Sequence, residues 1–176
     1  MSINTNGYWV SAKHVAYFNS AKIAGADGRS FLKLNETWAK DCKHVYSVGR
    51  RIAKADLTSF QVLNPLYAKD ADHCYYLGGI IKEADPGSFQ ALDNGECVRE
   101  FHNGFGDHVY TNRSAAGFAA DEKYVFHHVL TVGKPCVLKK ADRATFQVLR
   151  CGFGRDQQNV YFENRGPSVL IPPISK

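Results

Sequence analysis

A fixed interval of 29 residues governs this chain. Trp9, Trp38 and Tyr67 stand 29 apart, as do Tyr17, Tyr46 and Tyr75, then Asp27, Asp56 and Asp85, and Phe31, Phe60 and Phe89. Four columns sharing one spacing are the signature of a repeat architecture. In such a fold each copy is too small to bury its own apolar face and must stack on its neighbours. The unit reads aromatic-Ala-Lys-Asp-x-x-His-Val-Tyr, then a stretch containing Gly, then Ala-Asp-x-x-Ser-Phe-Gln-Val-Leu. Its second half returns late, at Ala141 to Leu149, where Phe146 joins the phenylalanine column.

Local spacings survive where the overall period breaks. Asp41 to Tyr46, Asp70 to Tyr75, Asp121 to Phe126 and Asp156 to Tyr161 are each five residues, and Phe31 to Asp41, Phe60 to Asp70 and Phe146 to Asp156 are each ten. The units fall at about 8–37, 38–66 and 67–96, a truncated one at 97–117, an expanded one at 118–152 and a half unit at 153–171. A chain of 176 residues has the usual size of a single domain, so one domain over 1–176 is expected.

Within a unit, β-prone stretches flank an aspartate that starts a short turn, as in Tyr67-Ala68-Lys69-Asp70 followed by His73-Cys74-Tyr75-Tyr76. An aspartate at that place accepts hydrogen bonds from the backbone two residues on and closes a hairpin. Gly49 and the Gly78-Gly79 pair suit a second tight turn. Ala84-Asp85-Pro86-Gly87-Ser88-Phe89 carries an N-cap aspartate before proline, which predicts one helical turn whose phenylalanine plugs the core. The expected fold is mainly β: short antiparallel strands in meanders, one helical turn per unit, joined in a repeat array or a closed or curved sheet.

Composition narrows the class of protein. The formal charge is +5 with signs mixed along the chain, so acidic partners are mildly favoured without being specified. No apolar run approaches the roughly 20 residues a membrane helix needs, and the N-terminal residues lack a secretory pattern. Five cysteines, an odd number without a C-x-x-C pair, fit a reducing compartment, and a cytoplasmic location is expected.

The repeat resembles the DKNYY family, whose units run Tyr-Ala-Lys-Asp-Lys-Asn-x-Val-Tyr-Tyr, then a Gly turn and an Ala-Asp-x-x-Ser-Phe element. Trp38 to Tyr46 and Tyr67 to Tyr76 carry the likeness, with the Asp-x-x-Ser-Phe columns. The Lys-Asn after the aspartate is absent here, and the first copy, Ala12 to Tyr17, lacks the turn aspartate. The resemblance implies a fold and no active site.

Each possible site competes with a structural role. Asp41, Asp70, Asp121 and Asp156 could ligate a hard cation, yet no calcium-loop spacing surrounds them, and turn closure explains them. His44 and His73 follow the repeat; His102, His108, His127 and His128 do not, but they show no zinc spacing. The Gly-Phe-Gly stretches at Gly104 and Gly152 lead into no helix that could cradle phosphate, so both read as hairpin turns with an exposed or edge-packed Phe. No catalytic, cofactor or metal residue is assigned. The expected activity is recognition of another protein through a repeat-built surface, as an immunity or inhibitor protein would do. Arg50, Arg51, Lys139, Lys140, Arg143, His102, His108 and His127 are the candidate contact residues. RNA or single-stranded nucleic acid held by basic and aromatic side chains is the alternative. A third reading, an enzyme, would join Glu100, His102, His108 and His127.

Overall fold

The computed structural model describes residues 7–77, 79–102, 109–129, 135–149 and 152–162. They form five small antiparallel sheets and contain no helix and no closed barrel. The chain divides into two compact units, Met1–Lys82 and Glu83–Lys176.

The first unit holds three sheets. One comprises Tyr8–Val10, Ala16–Phe18 and Ala21–Lys22. The second comprises Leu32–Lys33, Trp38–Lys40, Val45–Ser47 and Arg50–Ile52 in that spatial order. The third repeats it one period on, with Gln61–Val62, Tyr67–Lys69, Cys74–Tyr76 and Gly79–Ile80. Strands of two or three residues cannot hold a sheet alone; stacking supplies the rest. Tyr8 and Ala16 of the first sheet, with Ile23 just after its last strand, pack against Ala39 and Tyr46 of the second. Trp38, Val45 and Ile52, on the second sheet's other face, pack against Ala68 and Tyr75 of the third. A layer covered on both sides loses the polar face of an ordinary antiparallel sheet, which is why Val45, Tyr46 and Ser47 are all buried in succession.

The phenylalanine column joins one layer to the next, as the sequence predicts. Phe31 lies between Tyr8 and Tyr46, with ring centroids at 5.7 and 5.5 Å, and Phe60 lies between Trp38 and Tyr75, at 5.8 Å from each. In the second unit Phe146 lies between Phe118 and Tyr161 at 5.2 and 5.7 Å, and Phe89 packs on Phe126 at 5.5 Å. The strand beneath the plug has no room for a large side chain. Ala39, Ala68 and Ala119 occupy that position, and Gly154 fills it in the last sheet, where a Cβ would sit 2.4 Å from the Phe146 ring.

The second unit holds two sheets. In one, Gln90–Ala91, Val109–Ala120, Val125–Val129 and Cys136–Leu138 follow in order, and Glu96–His102 pairs alongside Val109–Ala120. In the other, Gln147–Val148, Phe153–Arg155 and Val160–Phe162 form a three-stranded sheet whose Tyr161 packs into the core of Phe118, Ala120, Val125 and Leu138.

Two expectations are corrected. The stretch at 84–89 is a turn, not a helical turn: Asp85 accepts from Gly87 and Ser88 within one bend, and the strand begins again at Gln90, leaving no room for an i to i+4 bond. Gly152 makes the expected hairpin turn, at φ +78° between Gln147–Val148 and Phe153–Arg155, with Phe153 exposed; the stretch at Gly104 lies outside the described residues. The first copy is also out of register. Trp38 stands opposite Ser47, whereas Trp9 stands opposite Tyr17. A one-residue slip exchanges the two faces of a strand. Tyr8 therefore takes the inward place, while Trp9 and Tyr17 stack on each other at 4.2 Å, partly exposed. The cause is the absent turn aspartate: Ser11 caps a longer bend through its hydroxyl, with His14 at φ +56°.

Candidate functional site

Among the described residues, the densest polar chemistry is a knot built once at each aspartate turn. Asp41 uses one carboxylate oxygen, Oδ1, to accept the backbone N–H groups of Lys43 and His44, both at 2.7 Å. Its other oxygen accepts the Tyr46 hydroxyl at 2.7 Å and, from the preceding loop, the N–H of Asp27 at 2.9 Å. The Ser30 hydroxyl then accepts the N–H of Cys42 at 3.1 Å and donates to Asp27 at 2.8 Å. Asp70 repeats the set with Asp72, His73, Tyr75 and Asp56 at 2.9, 2.7, 2.5 and 2.9 Å. Asp156 does so with Gln158, Asn159, Tyr161 and Asp142 at 2.8, 2.7, 2.7 and 3.0 Å. Asp121 accepts from the N–H groups of Lys123, Tyr124 and Asp85 but, among the described residues, finds no hydroxyl partner, because Phe126 stands in the tyrosine column.

The knots account for the titration of these groups. Burial pushes the carboxyls of Asp41 and Asp70 up, but the tyrosine hydroxyl and three N–H donors outweigh it and hold both below the ordinary carboxylate range. Tyr161 is pushed up to about 12, first by burial and then by its bond to Asp156; Tyr46 and Tyr75 rise for the same reasons. A carboxylate that is the saturated acceptor of a turn is a poor base and a poor metal ligand, since its lone pairs are engaged.

A second ladder runs through Asn35, Asn64 and Asp93, again 29 residues apart. Asn35 accepts from the N–H groups of Thr37 and Trp38, and Asn64 from those of Leu66 and Tyr67. Asp93 accepts from Gly95 and Phe118 at 2.8 Å each, and burial holds its carboxyl above the usual range. Sequence reasoning missed this column, although its period was legible.

The candidate contact residues are divided between the two compact units. Arg50 and Arg51 are exposed on the last strand of the second sheet, whereas Lys139 and Lys140 are exposed on the turn after Cys136–Leu138, in the other compact unit. Arg143 is half-buried, and its Nε donates to the carbonyl of Asp121 at 3.1 Å. His127 is fully buried, stacked on Phe118 at 4.1 Å; burial and then neighbouring His128 push it down to about 4. It belongs to the packing. His102 and Glu100 lie in the strand Glu96–His102, and His108 falls outside the described residues. An open depression of about 530 Å³ is lined by Ser88, Gln90, Asp121, Glu122, Asp142, Arg143 and Ala144. Several of its polar groups are already spoken for: Asp121 holds its knot, Ser88 accepts from the N–H of Glu122, and Arg143 holds the turn.

Stacked short sheets tied by aspartate knots define an all-β repeat protein. The family description that matches is the DKNYY family, over residues 38–173, well more than half of the chain, and the chain belongs to that family. The match starts at Trp38 and leaves out the slipped first copy, which lacks the turn aspartate. No curated protein and no solved structure matches the chain.

Proposed function

We propose that the protein is a non-catalytic binding scaffold whose repeated sheets recognise another protein. The carrying observation is a division of labour inside the repeat. The turn aspartates and Tyr46, Tyr75 and Tyr161 are spent on the knots, while Leu32, Gln61, Gln90 and Gln147, the first strand residue of their respective sheets, are exposed in all four. A repeat array adds recognition surface by displaying equivalent positions in this way. Beside two of them stand the cationic partners Lys40 and Lys69, and Gln147 accepts from Arg155 at 2.9 Å. The cations favour an acidic protein surface. Stacking of nucleic-acid bases has less support, because Tyr46, Tyr75 and Tyr161 are buried in the knots.

The test compares the chain with a variant bearing glutamate at 32, 61, 90 and 147, all exposed, in pull-downs from native extract. Retention of a protein by the unaltered chain and its loss in the variant is the expected result. Recovery of nucleic acid that salt releases, with no protein retained, overturns the proposal.

A further inference from the structure

One segment breaks the repeat without disturbing the knots. From the loop aspartate to the turn aspartate that binds it is 14 residues at Asp27, Asp56 and Asp142, but 36 at Asp85. The bond from Asp85 to Asp121 is nevertheless made at 3.1 Å. Gln90 and Ala91 pair with Ala120 and Ala119, as Leu32 and Lys33 pair with Lys40 and Ala39. The layer closes as its relatives do, and the extra residues leave it as a ribbon. Glu96–His102 runs antiparallel to Val109–Ala115 through seven opposed pairs, from Glu96 with Ala115 to His102 with Val109. Among the described residues, Glu96–His102 pairs with no other strand, so it offers an unpaired edge seven residues long. The other outer strands are two or three residues long. Insertions in repeat proteins collect on a binding face, and a long open edge is complementary to another extended backbone.

We infer that Glu96–His102 is a docking edge for an extended strand of another protein, which it takes up antiparallel as a further strand. The inference rests on the protein-binding reading above. A second copy of this chain is a poor occupant for a reason of symmetry. In a two-fold antiparallel pair, opposed residues share a face, so one residue must stand directly opposite its own copy at the axis. Three registers keep five or more pairs of the seven-residue strand. With the axis at Val98, Glu96 meets Glu100 of the partner subunit; at Arg99, arginine meets arginine; at Glu100, glutamate meets glutamate. Like charges directly opposed destabilise a strand pair. The strand that fits carries basic residues opposite Glu96 and Glu100 and an acidic one opposite Arg99.

The probe is the peptide Glu-Val-Lys-Glu-Val-Thr-Lys, which meets those demands in antiparallel register, against its sign-reversed form Lys-Val-Glu-Lys-Val-Thr-Glu. Amide hydrogen exchange of the full chain is followed with each. The complementary peptide should slow exchange across 96–102 at least tenfold, and the reversed one should not. A variant with Glu96→Lys, Arg99→Glu and Glu100→Lys, its circular dichroism unchanged, should exchange the preference. Failure of both peptides to protect 96–102 overturns the inference, as does self-association that protects these amides. Binding of a protein partner with exchange at 96–102 unaltered also overturns it, while leaving the binding scaffold standing.

Discussion

Replacing Asp70 by alanine isolates what a knot contributes. The side chain is fully buried and is the acceptor for four donors: the N–H groups of Asp72, His73 and Asp56 and the hydroxyl of Tyr75. Each buried donor deprived of a partner costs about 1 to 3 kcal/mol, and bonds to a charged acceptor lie at the upper end. Some of the four regain water, since His73 is partly exposed. A total of about 4 kcal/mol follows, a large share of the roughly 5–15 kcal/mol that holds a domain together. Two companion variants sharpen the reasoning. Tyr75→Phe removes one donor and leaves the three backbone bonds; Phe126 does the same naturally at Asp121, so the cost should be only about 1 kcal/mol. Asp70→Asn keeps an oxygen for the turn, as Asn64 has for its own, but turns an amide N–H₂ toward the Asp56 N–H and the Tyr75 hydroxyl. It should fall between the other two. Urea denaturation followed by the fluorescence of Trp38, which is fully buried in the adjoining core, measures all three. Asp70→Ala within about 1 kcal/mol of the unaltered chain, or Asp70→Asn equal to it, would refute the claim that the carboxylate ties the layers.

Acid should loosen the knots. The carboxyls of Asp41, Asp70 and Asp156 sit below their ordinary values, so the stability they add is present above the unfolded-state value of about 4 and is lost as pH falls through the folded one. His127 acts in a higher window: lowered from 6.5 to about 4, it contributes fully above 6.5 and loses that contribution as pH falls toward 4. His127→Phe should flatten the stability profile between those limits by about 3 kcal/mol, read from urea midpoints across pH. Val48 is a β-branched residue at φ +48°, in the turn position that Asn19 occupies at φ +53° in the first sheet. Val48→Asn should raise stability by about 1 kcal/mol, seen as a higher Tm. Phe60→Ala removes the ring between Trp38 and Tyr75 and should cost about 3 kcal/mol, with a red shift of the Trp38 emission.

The period, the strand-and-turn alternation and the plug role of phenylalanine were legible in the sequence, because equivalent places in stacked layers impose the same volume and the same backbone conformation. Turn closure by Asp41, Asp70, Asp121 and Asp156 was legible too, since it acts over two or three residues of chain. That each carboxylate also grips the loop before it depends on which layer lies above, and spacing does not record this. Tertiary packing likewise decided that 84–89 bends once and returns to a strand, and that Trp9 and Tyr17 leave the core although they keep the interval. In that first copy the loop length set by Ser11 overrides side-chain identity, because register obeys the turn and the face of every residue obeys the register.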